Sequence, residues 1–134
     1  MGLPAVEFAL LIDDNDIDLF VQKRFIEINN FADHVVTYNS AILAVAHLKE
    51  ASNANIPKLI FLDLNMPVMD GFGFLDSFNT FPQSVKDKSK VVVVTSSSSR
   101  ADKEKALTYD AVIHFMSKPL SDKDLDQIRV LILK

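Results

Sequence analysis

The sequence predicts an α/β fold, a three-layer (βα)5 doubly wound sheet whose parallel strands are covered by helices on both sides. Two observations carry this prediction. Five short apolar runs alternate with segments of helical periodicity, and the connections between them are short. The runs are continuous rather than alternating with polar residues, which is typical of strands buried on both faces. Right-handed crossovers then place all five strands in parallel.

The predicted strands cover residues 8–12, 34–38, 59–62, 91–94 and 112–116. The third is central, because Leu59–Leu62 are all apolar and lead directly into Asp63. The second is the least apolar and is therefore predicted at a sheet edge. We expect the strand order 2-1-3-4-5, in which strands one and three flank the switch point where ligands bind in open α/β sheets.

Five helices are predicted between and after these strands. Asn15 or Asp16 can cap the first, Ser40 caps the second, and the third follows Gly71. The fourth, over 100–108, has few large apolar residues and should pack weakly. Residues 83–90 are predicted as a loop or a frayed helix end. The apolar residues at helical spacing are Ile17, Phe20, Val21, Phe25 and Ile28 in the first helix, Ala41, Ala44, Val45 and Leu48 in the second, Phe72, Leu75 and Phe78 in the third, and Leu125, Ile128 and Leu131 or Ile132 in the fifth.

Composition excludes several classes of protein. The net charge is -4 and no basic stripe is visible, so nucleic-acid binding is not expected. The chain has no cysteine, which excludes disulfides and thiolate chemistry. No apolar run approaches the roughly 20 residues that span a bilayer, and the first residues do not resemble a signal peptide. We therefore expect a cytoplasmic protein without membrane contact.

Polar residues follow four of the predicted strands. Asp13 and Asp14 follow the first, Asp63 the third, Thr95 the fourth and Lys118 the fifth. Carboxyl ends of parallel strands share one edge, so these residues should meet there. Three neighbouring carboxylates repel one another, and Mg²⁺, which prefers oxygen ligands, relieves that repulsion.

Such a site suits phosphoryl chemistry. Asp63 could act as a nucleophile toward phosphorus. Lys118 would supply positive charge for the phosphoryl oxygens, and Thr95 a hydroxyl donor. Read singly, each residue also has an ordinary role as a cap, a strand-end hydroxyl or a solvated charge, but their joint occurrence at strand ends favours the site.

These motifs resemble the receiver domain of two-component response regulators, the CheY-like family, over nearly the whole chain. The matching segments are Leu11-Ile12-Asp13-Asp14, Asp63-Leu64-Asn65-Met66-Pro67-Val68-Met69-Asp70-Gly71, Val94-Thr95-Ser96 and Ser117-Lys118-Pro119. The resemblance implies a flavodoxin/CheY-like fold and a single receiver domain over 1–134 with no output domain.

The resemblance also implies roles for individual residues. Asp63 would be the phosphoacceptor. Asp13, Asp14 and Asp63 would hold Mg²⁺ together with the backbone carbonyl of Asn65, with Asp14 favoured over Asp13 as a direct ligand. Asp70 is expected to support the turn with Gly71 rather than to bind metal.

Further roles concern the switch and the last strand end. Thr95 would be the switch hydroxyl, Lys118 would pair with a phosphoryl oxygen, and the bond before Pro119 would be cis. The aromatic switch position is Phe115, where many relatives have Tyr, so a hydroxyl that could fix one rotamer is missing.

The expected function is that of a stand-alone response regulator rather than an enzyme. A histidine kinase or phosphotransfer protein would phosphorylate Asp63, and a downstream protein would bind the face formed by the fourth helix, fifth strand and fifth helix. The alternative is a CheY-like interaction module that works independently of phosphorylation. A phosphohydrolase of the haloacid dehalogenase type is disfavoured, since Asn65 stands where that family has a second Asp.

Overall fold

The structure is a computed structural model that describes residues 4–51 and 55–132. In these ranges the strands are β1 (Val6–Ile12), β2 (Ala32–Tyr38), β3 (Leu59–Leu62), β4 (Lys90–Thr95) and β5 (Val112–Ser117). The helices are α1 (Asp16–Ile28), α2 (Ala41–Lys49), α3 (Gly71–Phe78), α4 (Gln83–Lys88), α5 (Arg100–Leu107) and α6 (Asp122–Ile132).

The strands form one parallel sheet in the order β2-β1-β3-β4-β5, which confirms the predicted topology and the edge position of β2. A hydrophobic core lies on each face of the sheet. Helices α1 and α6 cover one core, and α2, α3, α4 and α5 contribute to the other. Strand β3 is buried on both sides: Ile60 and Leu62 face one core, whereas Leu59 and Phe61 face the other.

Helix α1 differs from its prediction in the face that it buries. Asn15 caps the helix by accepting a hydrogen bond from the backbone N–H of Asp18. The buried side chains are Leu19, Gln22 and Ile26. Four of the five apolar residues predicted as one face are more than half exposed, namely Ile17, Phe20, Val21 and Ile28, and Phe25 is half-buried. Periodicity identifies side chains that share a helix face, but a helix with two apolar faces can pack only one of them against the sheet.

The remaining differences are local. Within the segment 83–90, predicted as a loop or a frayed helix end, residues Gln83–Lys88 form the short helix α4, which buries Val85, and Lys90 begins β4. The predicted fourth and fifth helices are therefore α5 and α6. Helix α5 buries only Ala106, in agreement with the weak packing predicted for it, and α2 buries the four predicted residues. None of the helices in the described ranges has both the length and the apolar composition needed to cross a membrane.

Candidate functional site

The sheet register brings the predicted residues to one edge. Ile12 of β1 pairs with Leu62 of β3, so Asp13 and Asp63 leave adjacent strands at the same level. The backbone N–H of Asp63 donates to the carbonyl of Ile12 at 2.9 Å. On the other side, the backbone N–H of Lys118 donates to the carbonyl of Thr95 at 3.0 Å. The carboxyl ends of β1, β3 and β4 and the residues that follow β5 therefore lie close together at this edge of the sheet.

Three carboxylates meet at this point. One oxygen from each of Asp13, Asp14 and Asp63 lies within 4.8 Å of the other two. Asp13 and Asp63 are only 1% and 4% exposed, whereas Asp14 is exposed. Two buried carboxylates this close are costly for folding unless cations or donors compensate them.

Asp13 is compensated by donors from within the chain. Its Oδ1 accepts a hydrogen bond from the backbone N–H of Asn15 at 2.9 Å, and its Oδ2 accepts one from Nε2 of Gln22 at 3.2 Å. The Nζ of Lys118 lies 2.7 Å from the same Oδ2. Gln22 therefore contributes to the site, although its sequence position gave no sign of it: a polar residue on the buried side of α1 can be recognised only once that side is known.

Asp63 is less well compensated. Its Oδ2 lies 3.6 Å from Nζ of Lys118, and its buried Oδ1 has no hydrogen-bond partner among the described residues. Burial, and secondly the charge of Asp13, raise the pKa of Asp63 above its ordinary value, while Lys118, the Thr95 hydroxyl and the backbone N–H of Asn65 act in the opposite direction. Asp63 is thus a buried carboxylate with one oxygen left for an external partner.

Lys118 links the acids. Its Nζ lies 2.7 Å from Asp13, 2.8 Å from Asp18 and 3.6 Å from Asp63. Burial acts to lower the pKa of Lys118, but the hydrogen bonds to Asp13 and Asp18 outweigh it and the pKa is raised. The peptide bond between Lys118 and Pro119 is cis. Asp18, in the first turn of α1, is a site residue that sequence analysis missed.

The predicted switch residues lie on β4 and β5, the two strands that follow β3 in the sheet. Thr95 is fully buried at the end of β4, and its Oγ1 accepts a hydrogen bond from the backbone N–H of Ser97 at 3.2 Å. Phe115, on β5, is half-buried and packs against the core that contains α3 and α5. Asn65 is exposed in the loop after β3. The ligand role of its carbonyl stays a prediction.

The loop after β3 is held close to the site. Asp70 caps α3 by accepting a hydrogen bond from the backbone N–H of Gly73 at 2.8 Å. A Cβ at Gly71 would lie 2.6 Å from the carbonyl oxygen of Asp63 and 2.7 Å from Cα of Leu64, so only glycine fits there. Val68, which is 93% exposed, has a φ of 68°, an unfavourable conformation for a β-branched residue.

The donor set fits a hard divalent cation. It consists of carboxylate oxygens at short separation, and the unpartnered Oδ1 of Asp63 is available as a ligand. A cation here would also offset the mutual repulsion of the three carboxylates. Chemically, the arrangement combines a buried carboxylate, an ammonium group and a carboxylate cluster that could hold a cation, and such groups suit transfer of an anionic phosphoryl group.

Comparison with known proteins gives concordant results. The family model described as "Response regulator receiver domain" matches residues 9–129. A two-component response regulator from Cytophaga hutchinsonii is 30% identical with a TM-score of 0.83, over 96% of this chain and 98% of that one. A response regulator receiver protein from Dyadobacter fermentans is 28% identical with a TM-score of 0.82, over 94% of each chain. The "Probable methanogenesis regulatory protein FilR2" of Methanothrix harundinacea is 29% identical over 119 residues, which are 87% of this chain and 74% of that protein.

Proposed function

This chain belongs to the response regulator receiver domain family, a module of two-component signal transduction, and on that premise we propose that Asp63 accepts a phosphoryl group in a Mg²⁺-dependent reaction. The donor would be a phosphohistidine of a histidine kinase or phosphotransfer protein. The observation that carries the proposal is the state of Asp63: a buried carboxylate with one oxygen unpartnered among the described residues, beside Lys118 and two further acids.

The transfer would use the residues of this site as follows. An oxygen of Asp63 forms a bond to phosphorus as the bond from phosphorus to the histidine nitrogen breaks, and that nitrogen keeps the electron pair. Asp13, Asp14, Asp63 and the Asn65 carbonyl would hold Mg²⁺, which when bound neutralises charge on the phosphoryl oxygens. Lys118 would bind one of these oxygens.

The signal would leave the site through β4 and β5. Thr95 is fully buried and its hydroxyl interacts with the Asp63 carboxylate, so it would turn toward a new phosphoryl group there. Phe115 lies on the neighbouring strand β5, paired with Val93 of β4. A shift of both residues would change the face formed by α5, β5 and α6, to which a downstream protein would bind in a phosphorylation-dependent way.

The test is phosphorylation by phosphoramidate or acetyl phosphate with Mg²⁺, read by intact mass. We expect a gain of one phosphoryl group in the wild-type protein, no gain in Asp63→Asn and no gain when the metal is chelated. Asp70→Asn is the matched control: it removes an exposed acid of the same loop, and asparagine also caps helices. A gain that persists in Asp63→Asn would contradict the assignment.

A second measurement separates switching from constitutive association. Proteins captured from a lysate by the phosphorylated and unmodified forms are compared. A phosphorylation-dependent partner supports the switch, and a partner bound equally by both forms supports the alternative of an interaction module. The missing hydroxyl at Phe115 makes this measurement necessary, because one means of fixing the switched rotamer is absent.

A further inference from the structure

The contact between Asp18 and Lys118 points to a regulatory role for α1 in the site. We propose that Asp18 is a positioning residue that holds the Lys118 ammonium group on the α1 side of the site and competes for it with a phosphoryl group on Asp63. This inference rests on the proposed function for its consequence, but the positioning itself can be tested without phosphorylation.

The distances support a preference for the α1 side. Nζ of Lys118 lies 2.8 Å from Oδ2 of Asp18 and 3.6 Å from Oδ2 of Asp63. An ammonium group has three donors, and the contacts to Asp13 and Asp18 are the ones at hydrogen-bond distance. Lys118 is therefore directed toward β1 and α1 rather than toward the acceptor.

Asp18 is held in place by its position in α1. Its backbone N–H donates to the side chain of Asn15, the residue that caps the helix. A carboxylate in the first turn is also stabilised by the helix dipole. Asp18 thus has a defined position from which it reaches a lysine 100 residues away in sequence.

The two carboxylates that contact Lys118, Asp13 and Asp18, differ in burial, and this difference allows the Asp18–Lys118 contact to break more easily. The Asp18 side chain is 39% exposed, whereas that of Asp13 is 2% exposed. Water can solvate Asp18 after the contact breaks, so losing it costs little, whereas leaving Asp13 without a cation would be costly. Asp18 is therefore the partner that Lys118 can leave when a phosphoryl oxygen becomes available near Asp63.

The first experiment measures the reactivity of Lys118 without Mg²⁺ or phosphodonor. The protein is treated briefly with acetic anhydride, and acetylation of Lys118 is quantified by peptide mass spectrometry. We expect Asp18→Asn to raise the Lys118 rate about three- to fivefold, the range of a partly exposed ion pair. Asp16→Asn, which removes an exposed acid from the same helix turn, should leave the rate unchanged.

The second experiment measures phosphorylation by phosphoramidate at saturating Mg²⁺. Asp18→Asn should raise the rate about three- to fivefold over both wild type and Asp16→Asn, because Lys118 loses its partner on α1 and keeps only Asp13 on that side. In a Lys118→Ala background, Asp18→Asn should change the rate no more than Asp16→Asn does. This double-mutant cycle separates competition for Lys118 from a general change in charge or stability.

Each outcome decides the proposal. Equal Lys118 acetylation in Asp18→Asn and Asp16→Asn would overturn the positioning role. Raised acetylation with an unchanged phosphorylation rate, or a rate effect that persists in Lys118→Ala, would overturn the competition. Failure of the wild-type protein to take up a phosphoryl group would refute the proposed function instead, and the acetylation result would still decide whether Asp18 positions Lys118.

Discussion

Replacing Asp63 by asparagine should stabilise the fold while it removes the proposed phosphoryl acceptor. The carboxylate is 4% exposed, lies near Asp13, and has an Oδ1 without a partner among the described residues. Asparagine keeps a polar atom at this position but removes the negative charge, and a buried unpaired charge costs more than the roughly 1–3 kcal/mol of a neutral unsatisfied group. Lys118, at 3.6 Å, compensates part of this cost and interacts less strongly with a neutral amide. We therefore expect Asp63→Asn to raise the free energy of unfolding by about 1–2 kcal/mol at neutral pH without Mg²⁺.

The pH dependence follows from the raised pKa of Asp63. Burial and the charge of Asp13 place this pKa above the value of the unfolded chain. The folded protein therefore takes up a proton at Asp63 before the unfolded chain does as the pH falls, and this uptake favours the folded state. The penalty is fully present above the folded pKa, declines as the pH falls through it, and is gone below the pKa of the unfolded chain. The stability difference between Asp63→Asn and wild type should shrink correspondingly on acidification.

The measurement is urea unfolding followed by circular dichroism with chelator present, at about pH 7.5 and about pH 5. Asp33→Asn is the control, since it neutralises an exposed acid on the edge strand β2. It should change stability by less than about 0.5 kcal/mol at both pH values. An Asp63→Asn variant that is equal to or less stable than wild type at neutral pH would refute the claim that the buried Asp63 carboxylate destabilises the fold.

Three further predictions concern the loop after β3 and the metal. Gly71→Ala should lower the free energy of unfolding by about 2 kcal/mol or more, because the new Cβ would clash with backbone atoms. Gly73→Ala should change it by less than about 1 kcal/mol, because there the new Cβ would meet the flexible Met69 side chain. Equal values for the two variants in urea unfolding would contradict this. Val68→Asn should raise the free energy of unfolding by about 1 kcal/mol, since asparagine tolerates the positive φ and the exposed valine packs little. A melting temperature below that of wild type would contradict the argument that Val68 is strained. Asp14→Asn should weaken Mg²⁺ binding about tenfold. The measurement is the Mg²⁺ concentration that gives half of the maximal rise in melting temperature. An unchanged half-maximal concentration would exclude Asp14 as a ligand.

Local sequence was sufficient for the sheet and for its polar edge. Four consecutive apolar residues before Asp63 predict a strand buried on both faces, because each face of a central parallel strand contacts a helix layer. Since parallel strands end at one edge, the order of the elements was enough to bring Asp13, Asp63, Thr95 and Lys118 near one another. These features depend on periodicity and chain direction, which are both properties of contiguous residues.

Only the tertiary structure decided which side of α1 is buried and which partners Lys118 has. The apolar residues Phe20 and Val21 satisfy a helical period as well as Leu19 and Ile26 do, so the choice depends on how α1 lies against the sheet. The Asp18–Lys118 contact joins residues 100 positions apart, and no local pattern relates them. Periodicity relates near neighbours in sequence, whereas the choice of a packed face and of a distant ionic partner depends on the assembled sheet and both of its helix layers.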